Sequence, residues 1–149
     1  MERQQIIKRF PPEKGNLLNI LHELQNNNPQ NYLTHDDLRE VAGYLNTSLS
    51  HIYGVVTYYT MYSLKPRGRH IIRVCNSPVC NLEGAPGIIE IFRELLGIEP
   101  GMTDPDGRFT LELTECLGRC AIAPSMMVGE KVYGNLDREM IKDILNQFK

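Results

Sequence analysis

The sequence predicts an α/β fold in which an N-terminal helical bundle precedes a sheet covered by helices. Apolar residues recur at helical spacing in three segments between residues 17 and 62. The breaker Lys65-Pro66-Arg67-Gly68 then ends the helical pattern, and short strand patterns follow it. Two of those strands run directly into pairs of cysteines. We therefore expect residues 1–66 to form a three-helix bundle with a flexible arm, and residues 67–149 to form the sheet domain.

The helices of the bundle follow from their apolar faces and from the residues that start and stop them. Residues 1–15 are interpreted as a loosely held arm, because Pro11-Pro12 and Gly15 break the pattern. The first helix has one apolar stripe: Leu17, Leu18, Ile20, Leu21 and Leu24. Thr34 is the predicted cap of the second helix, and Thr47 or Ser48 that of a third helix running toward Tyr62. Helices this short are unstable alone, so we expect them to pack together.

Four of the seven tyrosines lie between Tyr53 and Tyr62, in a chain without tryptophan. Buried aromatic rings usually serve packing, which would place these rings at the seam between the bundle and the next domain. Tyrosine is also enriched at protein interfaces, which would make the same segment a surface for a partner. Both interpretations stay open, and each can hold for different rings.

The second domain is predicted to have the order βαβββα. His70–Val74 forms a short apolar strand, and a helix opens near Gly84 and Pro86. The segment from Phe109 to Glu115 alternates apolar and polar residues, as a half-buried strand does. A strand, a helix and a strand of this length indicate a right-handed parallel crossover. A hairpin turning at Gly129-Glu130 and a helix capped by Asp137 complete the order.

All four cysteines lie in two pairs, Cys75 with Cys80 and Cys116 with Cys120, with thirty-five residues between the pairs. Two short loops that each carry two thiolates supply four sulfurs, the ligand count of a 2Fe-2S cluster or a structural zinc ion. The chain starts without an apolar signal segment, so a reduced compartment is expected and disulfides are disfavoured. Gaps of four and three residues favour a two-iron centre over zinc, which stays the alternative. His70 is interpreted as a solvated residue at the start of its strand, not as a Rieske-type ligand.

Charge and motifs exclude several other functions. A net charge of −2 gives no field that would attract nucleic acid or a lipid surface. No apolar run approaches the roughly 20 residues that span a bilayer, so direct membrane insertion is not expected. The sequence also contains neither a G-x-G-x-x-G fingerprint nor a P-loop. We therefore expect no dinucleotide to bind to this chain, and we assign no catalytic residue to it.

The cysteine spacing and three flanking segments together carry a family resemblance. Those segments are Val55–Tyr62, Lys65–Gly68 and Glu115–Gly118, with Ala123-Pro124 after the last cysteine. In these features the chain resembles the thioredoxin-like 2Fe-2S subunit of NADH dehydrogenase and its relatives in NAD-linked hydrogenases and formate dehydrogenases. The resemblance runs from about Asn16 to the C-terminus.

This resemblance implies a thioredoxin-like 2Fe-2S ferredoxin domain whose cluster ligands are Cys75, Cys80, Cys116 and Cys120. It further implies a one-electron carrier in a cytoplasmic NADH-linked oxidoreductase complex. FMN and NADH would bind a partner flavoprotein subunit, beside further iron-sulfur subunits. Folds of this kind often place a cis proline before a strand, so we expect a cis bond at Ala123-Pro124. The alternative function is a zinc-stabilised structural adaptor of the same fold.

Overall fold

A computed structural model describes residues 2–148, and the chain divides into two compact units at residues 67 and 68. The first unit is helical, and the second contains a four-stranded sheet with helices. Within residues 2–148, none of the helices has the length and apolar character that crossing a bilayer requires.

Four α-helices build the first unit: α1 (Arg3–Ile7), α2 (Leu17–Asn27), α3 (His35–Tyr44) and α4 (Leu49–Tyr58). The apolar stripes predicted from the sequence meet in one core, where Ile20, Leu21, Leu38 and Ile52 are fully buried. Thr34 caps α3, because its hydroxyl accepts the Asp37 amide while the Asp37 carboxylate accepts the Thr34 amide. Burial of these apolar faces holds the short helices together.

The N-terminal residues are held more tightly than the loosely held arm that the sequence predicted. Residues 3–7 form the one-turn helix α1, and the side chains of Ile6 and Ile7 are only 2% and 3% exposed. Arg3 Nε lies 2.5 Å from Asp37 Oδ1, and Arg3 Nη1 lies 3.1 Å from Glu40 Oε1. Five residues are too few for a helical period to appear in the sequence, so tertiary contacts define this element.

The tyrosine segment separates into buried and exposed rings. Tyr62 is buried, and its hydroxyl donates to the Leu18 carbonyl oxygen at 3.0 Å. Tyr58 is 79% exposed and meets Tyr59 edge to face. Helix α4 ends at Tyr58, short of the predicted Tyr62. Tyr62 therefore packs within the core of the first unit. The placement of these rings at a seam with the second unit stays a prediction, and a partner-facing role for Tyr58 stays a hypothesis.

The second unit confirms the predicted α/β arrangement. Its strands β1 (His70–Cys75), β2 (Phe109–Thr114), β3 (Met126–Val128) and β4 (Lys131–Tyr133) lie in the order β2-β1-β3-β4. The helices α5 (Pro78–Leu82) and α6 (Ala85–Leu96) lie between β1 and β2, and α7 (Arg138–Gln147) ends the unit. Its buried core includes Ile72, Phe92, Phe109 and Ile141.

The parallel crossover determines where the cysteines lie. Strands β1 and β2 are parallel in a register that pairs His70 with Phe109 and Cys75 with Thr114. Strand β3 runs antiparallel to β1, and β3 and β4 form the predicted hairpin across Gly129-Glu130. Because parallel strands end at the same edge of a sheet, the two cysteine loops leave the sheet side by side.

Candidate functional site

The second cysteine of the first pair lies in a short helix that the sequence did not predict. Cys75 is the last residue of β1, and Cys80 is the third residue of α5, which begins with Pro78. Proline suits the first turn of a helix because the amide that it lacks would have no partner there. Gly84 then separates α5 from α6 with a φ of +105°, a backbone angle that glycine alone adopts easily. The turn of α5 brings Cys80 back toward Cys75.

The second pair lies in a tight loop after β2. The Cys116 and Cys120 sulfurs are 4.0 Å apart, and the Gly118 amide donates to Cys116 Sγ at 3.3 Å. Gly118 has a φ of +71°, which lets the chain turn back within five residues. Cys120 begins a 3₁₀ turn that ends at Ile122. The predicted cis bond at Ala123-Pro124 follows and is confirmed.

Burial separates the two pairs sharply. The Cys75 and Cys80 side chains are each 1% exposed and belong to the core of the second unit. Cys116 and Cys120 are both exposed. Therefore one pair faces the protein interior and the other faces solvent.

The two loops contact each other at Cys75. Burial raises the pKa of this thiol, but hydrogen bonds to its sulfur lower the pKa by more, to about 7. The donors are the Ser77 hydroxyl, the Ser77 and Leu117 amides and the Cys80 thiol. The amide of Leu117 comes from the second loop, so this hydrogen bond joins the loops directly. The Cys75 amide in turn donates to the Ser125 carbonyl oxygen at 3.0 Å.

Three of the thiols also interact electrostatically across the loops. The hydrogen bond and the negative charge of Cys116 raise the pKa of Cys120, and the charge of Cys80 adds to this effect. Thiolates placed this close repel one another unless a cation lies between them. Among residues 2–148, no three histidine, cysteine or acidic side chains surround a single point that would suit one metal ion. The arrangement is one of two neighbouring pairs.

His70 lies at the opposite end of β1 from Cys75. Five residue-to-residue steps of strand separate them, about 16 Å along the chain direction. The His70 ring is half-buried, with centroids 5.7 Å from Phe109 and 5.1 Å from Phe148. The His70 side chain is therefore less solvated than expected, and the expectation that it is not a cluster ligand stays a prediction.

His70 should make the stability of the protein sensitive to acid. Burial, with the charges of Arg69 and Arg108, lowers the pKa of His70 below its ordinary 6.5. The unfolded chain therefore binds this proton at a higher pH than the folded chain does, so the free energy of unfolding should fall as the pH drops below about 6.5. Urea unfolding near pH 7.5 and pH 5.5 should show a smaller decrease for His70→Gln than for the wild type. The matched control is His51→Gln, an exposed histidine, and an equal decrease in both variants would contradict the prediction.

Nearly the whole chain matches one known protein family. The model of the thioredoxin-like [2Fe-2S] ferredoxin family matches residues 3–149. The chain is 38% identical over 144 residues to the HndA subunit of the NADP-reducing hydrogenase of Solidesulfovibrio fructosivorans, covering 97% of this chain and 83% of that protein. It is 34% identical over 145 residues to a subunit of the NADH-quinone oxidoreductase of Aquifex aeolicus, covering 97% of this chain and 89% of that protein.

A solved structure shares the fold. The chain superposes on part of an NAD+-reducing [NiFe]-hydrogenase in the air-oxidised state with a TM-score of 0.78 and 22% sequence identity. The superposition covers 99% of this chain and 24% of the solved chain, so this protein spans about a quarter of that structure's length. At this identity the likeness shows the fold alone.

Proposed function

Because the chain belongs to the thioredoxin-like [2Fe-2S] ferredoxin family, we propose that it is a one-electron carrier subunit of an NADH-linked oxidoreductase complex. The observation that carries the proposal is the meeting of two cysteine pairs at one edge of the sheet. The relatives named above, a hydrogenase subunit and a quinone oxidoreductase subunit, support the class of complex.

The four cysteines fit a two-iron cluster in number, chemistry and pairing. Each pair supplies two thiolates from one short loop, so Cys75 and Cys80 would hold one iron and Cys116 and Cys120 the other. The hydrogen bond and the charge of Cys116, with the charge of Cys80, raise the pKa of Cys120, which supports a positively charged group between the loops. Hydrogen-bond donors already point at sulfur from Ser77, Leu117 and Gly118. Such donors offset the negative charge of a cluster held by four thiolates.

The bound cluster would supply reversible one-electron transfer. The two cysteine pairs of this chain would have different roles beside it. Cys75 and Cys80 lie in the apolar core, which keeps water from that side of the centre. Cys116 and Cys120 are exposed and would be the side from which a partner exchanges the electron. The Gly118 turn holds the exposed pair within a few residues of the sheet edge.

We place FMN and NADH on a partner flavoprotein subunit, with further iron-sulfur subunits in the same cytoplasmic complex. The sequence has no dinucleotide fingerprint and no P-loop, which supports binding of both molecules elsewhere. Both relatives named above are subunits of oxidoreductases, which supports assembly of this chain with partners. The enzymatic activity would then belong to the complex.

Spectroscopy of the purified protein tests this function directly. We expect a coloured protein with iron and acid-labile sulfide in equal amounts, and an electron paramagnetic resonance signal that appears on one-electron reduction. Metal analysis of the same sample provides the control for the zinc-stabilised adaptor. A colourless protein that holds one zinc ion per chain would overturn the electron-carrier proposal.

A further inference from the structure

Two serine hydroxyls contact the two buried cysteine sulfurs. Ser77 Oγ lies 3.2 Å from Cys75 Sγ, and Ser125 Oγ lies 3.5 Å from Cys80 Sγ. A thiolate has no proton to donate, so each hydroxyl must be the donor when its cysteine is deprotonated. The buried pair therefore has one hydroxyl donor for each sulfur.

Ser77 occupies a position where a serine usually caps a helix. It is the residue before the first turn of α5, where a serine hydroxyl normally accepts a hydrogen bond from an amide of the helix. Here the side chain makes no such bond, and its hydroxyl lies against Cys75 Sγ instead. Helix capping therefore does not explain this serine, whereas the contact with sulfur does.

Ser125 is buried completely, with 0% of its side chain exposed. A buried hydroxyl costs free energy unless it forms a hydrogen bond. Within residues 2–148, Cys80 Sγ is the hydrogen-bond partner of this hydroxyl, and no other is present. An alanine would fit the same space without any polar group to satisfy. The presence of serine here is therefore explained by its donation to sulfur.

The exposed pair lacks such donors in the part of the chain that the structure describes. Cys116 Sγ accepts the Gly118 amide, and its other sulfur contact is Cys120. Water can reach both of these sulfurs, because both cysteines are exposed. The protein thus places hydroxyl groups at the two sulfurs that water cannot reach.

We propose that Ser77 and Ser125 are positioning residues whose hydroxyl groups, by donating to the Cys75 and Cys80 sulfurs, raise the reduction potential of a cluster held by the four cysteines. Reduction adds one negative charge, which the ligand sulfurs share, so a donor to sulfur stabilises the reduced form more than the oxidised form. The inference rests on the proposed function, and it deepens it by naming residues that set the driving force of electron transfer.

The test is redox titration of the full-length, cluster-loaded protein with Ser77→Ala, Ser125→Ala and both together. We expect each single change to lower the ratio of reduced to oxidised protein at a fixed solution potential by about tenfold, which is about 59 mV for a one-electron couple. The double variant should show the larger shift. Resonance Raman spectra should show the iron–sulfur stretching bands at higher frequency in each variant, because loss of the donor strengthens the iron–sulfur bond.

Matched variants separate tuning from folding. Ser77→Thr keeps a hydroxyl and should keep the wild-type potential. Ser48→Ala removes a serine that does cap a helix, since the Ser48 hydroxyl accepts a hydrogen bond from the His51 amide. This change should lower thermal stability without moving the potential.

Unchanged potentials in both alanine variants would overturn the proposal. Failure of Ser125→Ala to take up the cluster, while Ser77→Ala loads normally, would overturn it for Ser125 and assign that residue a structural role. A wild-type protein without an iron–sulfur spectrum would instead contradict the proposed function itself.

Discussion

Replacing any one of the four cysteines with alanine should abolish binding of the 2Fe-2S cluster. Alanine offers no donor atom, so one iron would lose one of its two protein ligands. Cluster content, measured as iron, acid-labile sulfide and visible absorption, should therefore fall to background in all four variants. Serine is a weaker choice for this test, because its oxygen could still bind iron.

The same four variants should differ when they are compared without the cluster. Cys75 and Cys80 are each 1% exposed, so alanine there leaves a small cavity that should cost about 1 to 2 kcal/mol of unfolding free energy. Cys116 and Cys120 are exposed, and alanine there should change that free energy by less than about 0.5 kcal/mol. Urea unfolding under reducing conditions with a chelator measures the difference.

Two outcomes would contradict this pattern. A variant that still binds the full complement of iron would show that its cysteine is not a ligand. Equal stabilities for all four cluster-free variants would show that the inner pair contributes nothing to the core. Together the two measurements separate the role of each cysteine as a ligand from its role in packing.

Sequence patterns could predict elements whose stability is local or periodic. The apolar stripes of α2 and α3 predicted those helices, and the alternation of apolar and polar residues from Phe109 to Thr114 predicted β2. Thr34 and Asp137 identified helix starts, and both side chains accept amides in the structure. The parallel pairing of β1 and β2 followed from the length of the connection between them.

Elements that depend on tertiary contacts could not be predicted in the same way. Helices α1 and α5 have five residues each, fewer than two turns, so no apolar period marks them. The burial of His70 depends on the rings of Phe109 and Phe148, which are distant in sequence. At the site, spacing grouped the cysteines but gave no indication that one pair is buried and the other exposed. It also missed Ser125, because a contact with Cys80 over forty-five residues of sequence leaves no local pattern.

A second large effect is expected at Gly134, outside the cysteine loops. A side-chain carbon at this position would lie well inside van der Waals contact of the Ile122 backbone oxygen and side chain. Ile122 ends the 3₁₀ turn that begins at Cys120, and its carbonyl oxygen accepts the Asn135 amide at 2.7 Å. The isoleucine side chain could rotate, but the carbonyl oxygen can move only with the turn that holds Cys120. Gly134→Ala should therefore disturb both the fold and the site.

We expect Gly134→Ala to lower the free energy of unfolding by about 3 kcal/mol, the upper range for overpacking. Cluster content should fall as well, because Cys120 moves with the displaced turn. Urea unfolding measures the first effect, and iron analysis measures the second.

The matched control is Gly87→Ala in α6, where an added carbon meets nothing within 4 Å. That change should stabilise the protein by about 0.5 to 1 kcal/mol, since alanine favours a helix more than glycine does. If Gly134→Ala were as stable and as well loaded as the wild type, the turn at Cys120 would have to be free to move, and the close approach of Gly134 would not be what holds it.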